Sequence, residues 1–248
     1  MSTAVCLAGL ANMACVHAAG LTVNAGDTAT WGTPLDLDCD DLVVNGTLDA
    51  AGAVFTRVGN VIIGSGGQLS AGGSTIEVTK SWQNSGTFNG AGSTVTVANT
   101  CANTSTTFSG DTTFGNLSAT VAGHELDFAA GSEETVTGQL TLNGVTLRGT
   151  GGTAYLTLQS GGTQSIANVG VSGVDASHGQ HLAPSANNVI SGGAANNWFV
   201  AGPAKPEAGS VAAVPATGPA GLAVLAGLML AAAGLARRWP GKSRRKSG

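Results

Sequence analysis

The chain has 248 residues with 39 glycines and 28 threonines, whereas only 10% of its residues are charged and 4% are aromatic. Glycine occurs at more than twice its usual share of about 7% without a three-residue period, which excludes collagen, and the shortage of good helix formers argues against a helical bundle. Because hydrophobic residues still reach 42%, the chain can bury a core, and the composition predicts an all-β fold of many short strands.

The net charge of −4 is unevenly distributed along the chain. All fourteen acidic residues lie between Asp27 and Glu207 with only four basic residues, so this body carries 4 − 14 = −10, while the other six basic residues lie within the last twelve positions. An acidic body repels the phosphates of nucleic acids. We therefore expect no nucleic-acid partner.

The N-terminal residues 4–19 are small and apolar, and they resemble the second half of a secretory signal with a cleavage site before Ala19. The first basic residue is Arg57, so the basic start of such a signal is expected upstream. Residues 1–18 are therefore predicted to be a signal peptide. A lipoprotein signal through Cys15 fits the sequence less well, and a buried apolar first strand is the alternative.

The body of the chain is a repeat with a period near twenty residues. The sequence at 73–78 returns nineteen residues later at 92–97, and the sequence at 87–90 returns twenty residues later at 107–110. Apolar and small polar residues alternate in these segments, as in half-buried strands. Residues 19–200 are therefore predicted to form a right-handed parallel β-helix of about eight coils.

Asn-Gly pairs at 45–46, 89–90 and 143–144 are predicted to form the corners of the coils, because both residue types tolerate positive φ. The same pairs are typical of hairpin turns, so an antiparallel β-sandwich is the alternative fold. The constant repeat length favours the coil.

Several body segments resemble secreted bacterial β-helix proteins of the adhesin or haemagglutinin kind, many of which carry C-terminal sorting tails. The segments that carry this resemblance are Ser81-Trp82-Gln83-Asn84-Ser85-Gly86-Thr87-Phe88, Thr112-Thr113-Phe114-Gly115-Asn116-Leu117, Gly138-Gln139-Leu140-Thr141-Leu142 and the closing residues 192–199. The resemblance implies a β-helix and export, and it does not name a ligand. Trp198 is predicted to close the apolar end of the last coil.

Cys39 and Cys101 are the only cysteines outside the predicted signal peptide. In an exported protein two such cysteines are expected to form a disulfide, which would stabilise the fold by about 4 kcal/mol. If residues 37–41 form a strand, Cys39 points inward together with Leu37. A zinc site is not expected, because there is no second pair of thiols.

The acidic side chains are expected to lie mainly on solvated faces. The densest group comprises Asp36, Asp38, Asp40, Asp41 and Asp49. This group lacks the spacing of known calcium loops, so a solvated strand face is predicted rather than a calcium site. Asp127, Glu133 and Glu134 are likewise predicted to be surface charges.

Residues that could support catalysis or metal binding are few. Asp175, His178 and His181 follow a three-residue step, but in a predicted loop this spacing defines no coordination geometry. Carboxylates one coil apart, such as Asp111 with Asp127 or Asp27 with Asp49, could stack. With so few basic residues and histidines, including His124, a complete acid–base set is not expected. We therefore predict no catalytic residue, no metal site and no cofactor.

The C-terminal region is predicted to anchor the protein in a membrane. Residues 201–213 have the composition of a semi-rigid Pro/Gly/Ala linker. Residues 220–236 contain only Ala, Gly, Leu, Val and Met, which predicts a short transmembrane helix. Arg237 and Arg238 begin a basic cluster that is expected to stop transfer and to keep the C-terminus in the cytoplasm.

Between the linker and the predicted helix lies the motif Val214-Pro215-Ala216-Thr217-Gly218. A short Pro-containing motif, an apolar segment and a basic cluster resemble bacterial protein-sorting tails. Val214-Pro215 matches the Ile-Pro of the tail named for Ile-Pro-Thr-Leu, and the whole motif resembles the Leu-Pro-any-Thr-Gly sortase signal with Val in place of Leu. The resemblance implies that residues 214–248 contact an export and sorting machinery.

The sequence thus predicts an exported, envelope-anchored protein with a structural or adhesive role and no catalytic activity. Its expected partners are the sorting machinery, the membrane, and an extracellular polysaccharide or the surface of a host or neighbouring cell. The alternative is a carbohydrate-active β-helix, similar to a polysaccharide lyase or glycosidase.

Overall fold

The computed structural model describes residues 5–6, 15–17, 20–182, 189–192 and 195–199. Among them there is no helix long and apolar enough to span a membrane. The predicted linker, sorting motif, transmembrane helix and stop-transfer arginines all lie outside the described residues, so these assignments stay predictions.

The described residues form short β-strands and no helix. In chain order the strands are β1 (Val5–Cys6), β2 (Cys15–His17), β3 (Gly20–Val23), β4 (Thr28–Thr30), β5 (Leu35–Asp36), β6 (Asp41–Val44), β7 (Thr47–Asp49), β8 (Val54–Ile63), β9 (Gln68–Ser70), β10 (Thr75–Asn84), β11 (Thr87–Val97), β12 (Ser105–Ser109), β13 (Thr112–Ala119), β14 (Glu125–Ala129), β15 (Glu133–Val136), β16 (Gln139–Asn143), β17 (Thr146–Thr150), β18 (Ala154–Leu158), β19 (Thr163–Ala167), β20 (Gly170–Ser172), β21 (Val174–Asp175) and β22 (Val189–Gly192).

All pairings among the described strands β3 to β22 are parallel. The strands stack into three walls of a β-solenoid of about seven coils, close to the eight expected. The parallel β-helix prediction is confirmed at this level, and the antiparallel sandwich is wrong because a sandwich would pair its strands in opposite directions.

Each coil contributes one segment to each wall. Wall 1 contains β3, β6, residues 61–63 of β8, residues 81–84 of β10, β12, β14, β17 and β20. Wall 2 contains β4, β7, β9, residues 87–90 of β11, residues 112–114 of β13, β15, β18 and β21. Wall 3 contains β5, residues 54–58 of β8, residues 75–78 of β10, residues 94–97 of β11, residues 116–119 of β13, β16 and β19. Coil 1 is β3–β5, coil 5 is β12–β13, coil 6 is β14–β16 and coil 7 is β17–β19. Between them, coil 2 runs from β6 to residue 58, coil 3 from residue 61 to residue 78, and coil 4 from residue 81 to residue 97.

Columns of inward side chains fill the solenoid. In wall 1 the in-register column is Leu21, Leu42, Val61, Trp82, Phe108 and Phe128, all fully buried. Successive members are 21, 19, 21, 26 and 20 residues apart. Aromatic rings pack in the middle coils, with ring centroids of Phe108 and Phe128 5.2 Å apart. Burial of these columns supplies the main favourable contribution to folding.

Two of the three Asn-Gly pairs lie at corners of the coils, and glycine is needed at each of them for a different reason. Gly144 has a φ of 72°, as predicted. Gly46 does not have positive φ; a Cβ atom there would lie 2.2 Å from the carbonyl oxygen of Asn24. Only glycine therefore allows adjacent coils to approach each other at this corner. The third pair, 89–90, lies inside β11.

The two ends of the solenoid are covered differently. At the N-terminal end β2 pairs with β3 in an antiparallel manner, and β1 pairs with β2. A first strand in this position was the alternative to a signal peptide, and removal of residues 1–18 stays a prediction. At the other end Trp198 is 4% exposed and bridges Leu182, as predicted for a residue that closes the last coil.

Candidate functional site

The predicted disulfide is present between Cys39 and Cys101, with a Cα–Cα distance of 5.6 Å. The local prediction for Cys39 is wrong, because the residue lies in a turn with φ of 75° and not on a strand. The turn follows β5 and ends the first coil. Cys39 therefore points toward a loop of another coil and not into the core.

Cys101 lies in a loop, residues 98–104, that accounts for the long 26-residue step between coils 4 and 5. The loop folds back over earlier coils: Thr100 Oγ1 donates a hydrogen bond to Glu77 Oε1 at 2.6 Å, and Asn103 Nδ2 donates to the Thr79 carbonyl. The corners that carry the two cysteines are three coils apart, about 14 Å along the axis at about 4.8 Å per coil. The loop bridges this separation, which brings Cys101 next to Cys39.

The carboxylates of the acidic group near Cys39 bind protein groups and do not converge on one point. Arg57 Nη2 contacts Asp36 Oδ2 at 2.6 Å and also pairs with Asp38; its hydrogen bonds to Asp36 hold the pKa of that carboxyl below its usual value. Asp41 Oδ1 accepts from the backbone and side chain of Asn60, and Asp49 Oδ1 accepts from the Ala51 N–H. Within the described ranges no three His, Cys, Asp or Glu side chains meet as a metal site would require.

The carboxylates that could have stacked one coil apart do not lie together. Asp127 lies in wall 1, beside Thr107 and Arg148, whereas Asp111 directly precedes the wall 2 segment of β13. Asp111 Oδ1 instead accepts a hydrogen bond from the N–H of Glu133 at 3.0 Å. Asp49 is paired with Thr30, three positions beyond Asp27.

The histidines have distinct surroundings. His124 is buried, and its Nε2 lies 2.9 Å from Thr106 Oγ1; desolvation lowers the pKa of its imidazole. His181 Nε2 lies 2.8 Å from the carbonyl oxygen of Phe199. His178 contacts Glu133 instead, with Nδ1 3.2 Å from Oε1. Asp175, His178 and His181, which are three residues apart in sequence, therefore contact different groups and do not form one site.

The contact between His178 and Glu133 depends on a bulge in wall 2. Tyr155 pairs with Asp175, and two residues separate Tyr155 from Leu158 in coil 7. In the next coil, three residues (176–178) separate Asp175 from Gly179, and Gly179 lies beside Leu158. The next coil therefore has one residue more than coil 7 over the same stretch. The extra residue is accommodated by a turn, in which the Gly179 N–H donates to the Ala176 carbonyl oxygen at 3.3 Å. We call residues 176–178, which place His178 on the outer face, the bulge.

Gly179 allows the bulge to close tightly against coil 7. A Cβ atom on Gly179 would lie 2.4 Å from the carbonyl oxygen of Leu158. The N–H of the next residue, Gln180, donates to that same oxygen at 2.8 Å. Backbone hydrogen bonding to coil 7 therefore resumes directly after the bulge.

The bulge bounds an open groove of about 560 Å³ on the outer face of wall 2. Its lining residues are Glu133, Thr135, Thr157, Gln159, Ser160, His178, Gly179 and Gln180. This volume falls within the range of about 300–1,000 Å³ of small-molecule sites. The groove is the candidate functional site of the described part of the chain.

His178 is held in one orientation above this groove. Its ring stacks on that of Tyr155 with centroids 4.2 Å apart and an interplanar angle of 9°. Thr157 Oγ1 donates a hydrogen bond of 2.7 Å to Glu133 Oε1, the same oxygen that His178 contacts. Asp175 accepts from the Ser177 N–H at 2.7 Å and from Asn196 at 2.6 Å, which fixes the start of the bulge.

The electrostatics of Asp175 agree with this arrangement. Burial raises the pKa of its carboxyl, but hydrogen bonds from Ser177 and Asn196 and the nearby His178 outweigh burial and hold the pKa below its usual value. Asp175 is therefore a stable anion behind the bulge.

Glu134, the neighbour of Glu133, points the other way and corrects another prediction. It was expected to be a surface charge, but it is fully buried in the solenoid, beside Thr112 and Leu156 in the ladder. Burial, and then the charge of Asp111, raise the pKa of this carboxyl well above its ordinary value, whereas a hydrogen bond with the Thr112 side chain acts in the opposite direction. The fold therefore favours the neutral form of Glu134.

The chemistry that the groove can support follows from these positions. Glu133 is the one carboxylate among the described residues that line it, whereas hydrolysis by paired carboxyl groups needs two at about 5–10 Å from each other. The oriented pair of Glu133 and His178 can accept and donate hydrogen bonds to a ligand. Comparison of the chain with protein-family models, with curated proteins and with solved structures finds no match in any of the three.

Proposed function

We propose that the protein is an exported, envelope-anchored β-solenoid with a structural or adhesive role and without catalytic activity. The disulfide between Cys39 and Cys101 carries the proposal of export, because such bonds persist mainly in oxidising compartments outside the cytosol. We also propose that the solenoid is right-handed, because nearly all parallel strand–crossover–strand connections are right-handed.

The outer faces of the solenoid support a structural or adhesive role. Wall 3 presents two columns of mostly uncharged polar side chains: Thr75, Thr94, Asn116, Gln139 and Thr163, and Glu77, Thr96, Ser118, Thr141 and Ser165. These hydroxyl and amide groups suit contact with a polar matrix or cell surface. The partners would be an extracellular polysaccharide or a host or neighbouring cell.

Anchoring rests on the sequence of the C-terminal region. Residues 1–18 would be removed on export, residues 19–200 would form the rod, and residues 201–213 would link it to the sorting tail at 214–248. The apolar segment 220–236 would span the membrane, with Arg237 and Arg238 on the cytoplasmic side before any processing.

Deletion of residues 214–248 tests the anchor. We expect the deletion variant in the culture medium and the full chain in the envelope fraction. A Pro215→Ala variant keeps the apolar segment but changes the motif, so altered processing of this variant would show that the motif is recognised. Mass spectrometry of the mature C-terminus would then show whether the chain ends at Thr217, as sortase-like cleavage predicts. Unchanged envelope retention of the deletion variant would contradict the proposed anchor.

A carbohydrate-active solenoid is the second candidate, and the oriented Glu133–His178 pair favours it, because a carboxylate bound to an imidazole can act in acid–base catalysis. Incubation of the purified chain with neutral and acidic polysaccharides tests it. Turnover that is lost in both Glu133→Gln and His178→Ala would establish this activity and overturn the non-enzymatic proposal.

A further inference from the structure

We infer that the groove on wall 2 is a binding site for uncharged saccharides, a conclusion that rests on the proposed adhesive function and names its ligand class. Glu133 and His178 line the site together with Thr135, Gln159 and Ser160. The site spans coils 6 and 7 and the bulge that follows them.

The polar groups of the groove match the chemistry of a sugar ring. Sugar hydroxyls both donate and accept hydrogen bonds, and the lining combines a carboxylate, an imidazole, hydroxyls and an amide. The described contacts of Glu133 use only Oε1, and those of His178 use only Nδ1. Glu133 Oε2 and His178 Nε2 therefore remain for hydroxyl groups of a ligand.

The charges around the groove select against anionic ligands. Between residues 20 and 182 the basic residues are Arg57, Lys80 and Arg148, and none of them lines the groove. Arg57 pairs with Asp36 and Asp38, and Arg148 pairs with Glu125 and Asp127. Within the lining, His178 is the one group that can carry a positive charge, and it already lies 3.2 Å from Glu133. A carboxylated or sulfated sugar would therefore bring a second anion to a single imidazole.

The site is preorganised, which reduces the entropy lost on binding. Tyr155 stacks on His178, Thr157 holds Glu133, and Asp175 fixes the backbone of Ser177. Three successive turns of the solenoid supply these groups. Rigid walls of this kind position polar groups better than a mobile loop does.

Titration of the full-length purified chain with oligosaccharides tests the inference. The probes are cellohexaose, maltohexaose and chitohexaose as uncharged ligands, and oligogalacturonate as an anionic ligand of similar size. We expect at least one uncharged probe to shift the amide resonances of residues 155–160 and 176–180. Its Kd should rise about tenfold or more in Glu133→Gln and in His178→Ala.

Glu125→Gln is the matched control, because Glu125 lies in the same coil but in wall 1. This variant should bind like the wild type, and circular dichroism should show that all three variants fold. The inference is overturned if no uncharged probe shifts the groove amides, if the groove variants bind as well as the control, or if oligogalacturonate binds more tightly. Release of the 214–248 deletion variant is scored separately, so a failed groove and a failed anchor give different results.

Discussion

Glu134 is a carboxyl group buried in the core of the solenoid, and its pKa makes the stability of the fold depend on pH. Burial of an ionised carboxylate in an apolar core is costly, so the fold favours the neutral form of this group. Because the folded-state pKa lies above that of the unfolded chain, the folded state binds the proton more tightly. Stability is therefore highest below the ordinary pKa of glutamate and falls as pH rises toward the raised value.

Replacement of Glu134 by Leu should remove this pH dependence. The variant places a side chain like that of Leu156, its neighbour in the ladder, in the same column. We expect the free energy of unfolding at pH 8 to increase by about 1–3 kcal/mol, because the cost of burying a carboxyl group in the core is removed. At pH 4 the gain should be smaller.

Urea denaturation at the two pH values measures the difference between the variant and the wild type. Glu77→Gln, which changes a carboxyl on the outer face of wall 3, should leave the pH dependence of stability unchanged. An equal effect of Glu134→Leu at both pH values would show that Glu134 does not titrate as described.

At the scale of elements, the loop at 98–104 acts as a staple across the corners of the solenoid. It carries Cys101 back to Cys39 and bonds to Glu77 and Thr79 on the way. Cross-linking residues 62 apart in sequence removes conformational freedom from the unfolded chain.

Removal of this cross-link should lower the free energy of unfolding by about 4 kcal/mol. A double variant, Cys39→Ser with Cys101→Ser, and the wild type in dithiothreitol should lose similar amounts in chemical denaturation. The double variant serves as its own control, since reductant should not affect it. A wild-type chain that is equally stable with and without reductant would show that the disulfide contributes nothing.

The bulge at 176–178 is the element that builds the groove. Deletion of Ser177 leaves two residues between Asp175 and Gly179, as between Tyr155 and Leu158 in coil 7, so the ladder becomes regular. We expect the circular dichroism of the solenoid to persist, while the nuclear Overhauser contact between the rings of Tyr155 and His178 disappears. Persistence of that contact would mean that the bulge does not place His178.

At the scale of the whole molecule, each coil contacts chiefly the coil before it and the coil after it, so stability is close to a sum over neighbouring coils. The largest buried side chains, including Trp82, Phe108, Phe114 and Phe128, lie in the middle coils. The centre should therefore open less often than the ends.

Hydrogen exchange should reveal this gradient, with the slowest amides in β10–β14 and faster exchange toward β3 and β20. Phe108→Ala should cost about 3–5 kcal/mol, because it leaves a cavity between Trp82 and Phe128. Val171→Ala, near the end of the solenoid, should cost less. Uniform exchange along the chain would indicate that the solenoid opens as one cooperative unit.

Several features of the fold could be predicted because they depend on local pattern. Alternating apolar and polar residues with a period near twenty specify stacked strands, and two cysteines leave one possible pairing. The pattern could not show which side of a coil a given residue faces near a corner. The steps between coils range from 19 to 26 residues, and a shift of one residue moves every side chain to the opposite face.

The candidate site depends on such corners and shifts. Glu133 and Tyr155 are 22 residues apart and Tyr155 and His178 are 23 apart, spacings close to one coil that a coil-by-coil alignment could have brought together. The outward path of His178 depends on a single extra residue, and no local signal marks it. In the same way Glu133 and Glu134 are adjacent in sequence and identical in type, but one faces solvent and the other the core.

The sequence by itself determined that this chain is an acidic, all-β repeat whose strands coil in parallel, with an expected cross-link between its two body cysteines, because periodicity and composition are local properties. Only the tertiary structure decided which side chains meet. Contacts between coils depend on the register of each corner, and register follows from packing of the whole column and not from any single repeat. For that reason the groove at Glu133 and His178 could be identified only in the tertiary structure.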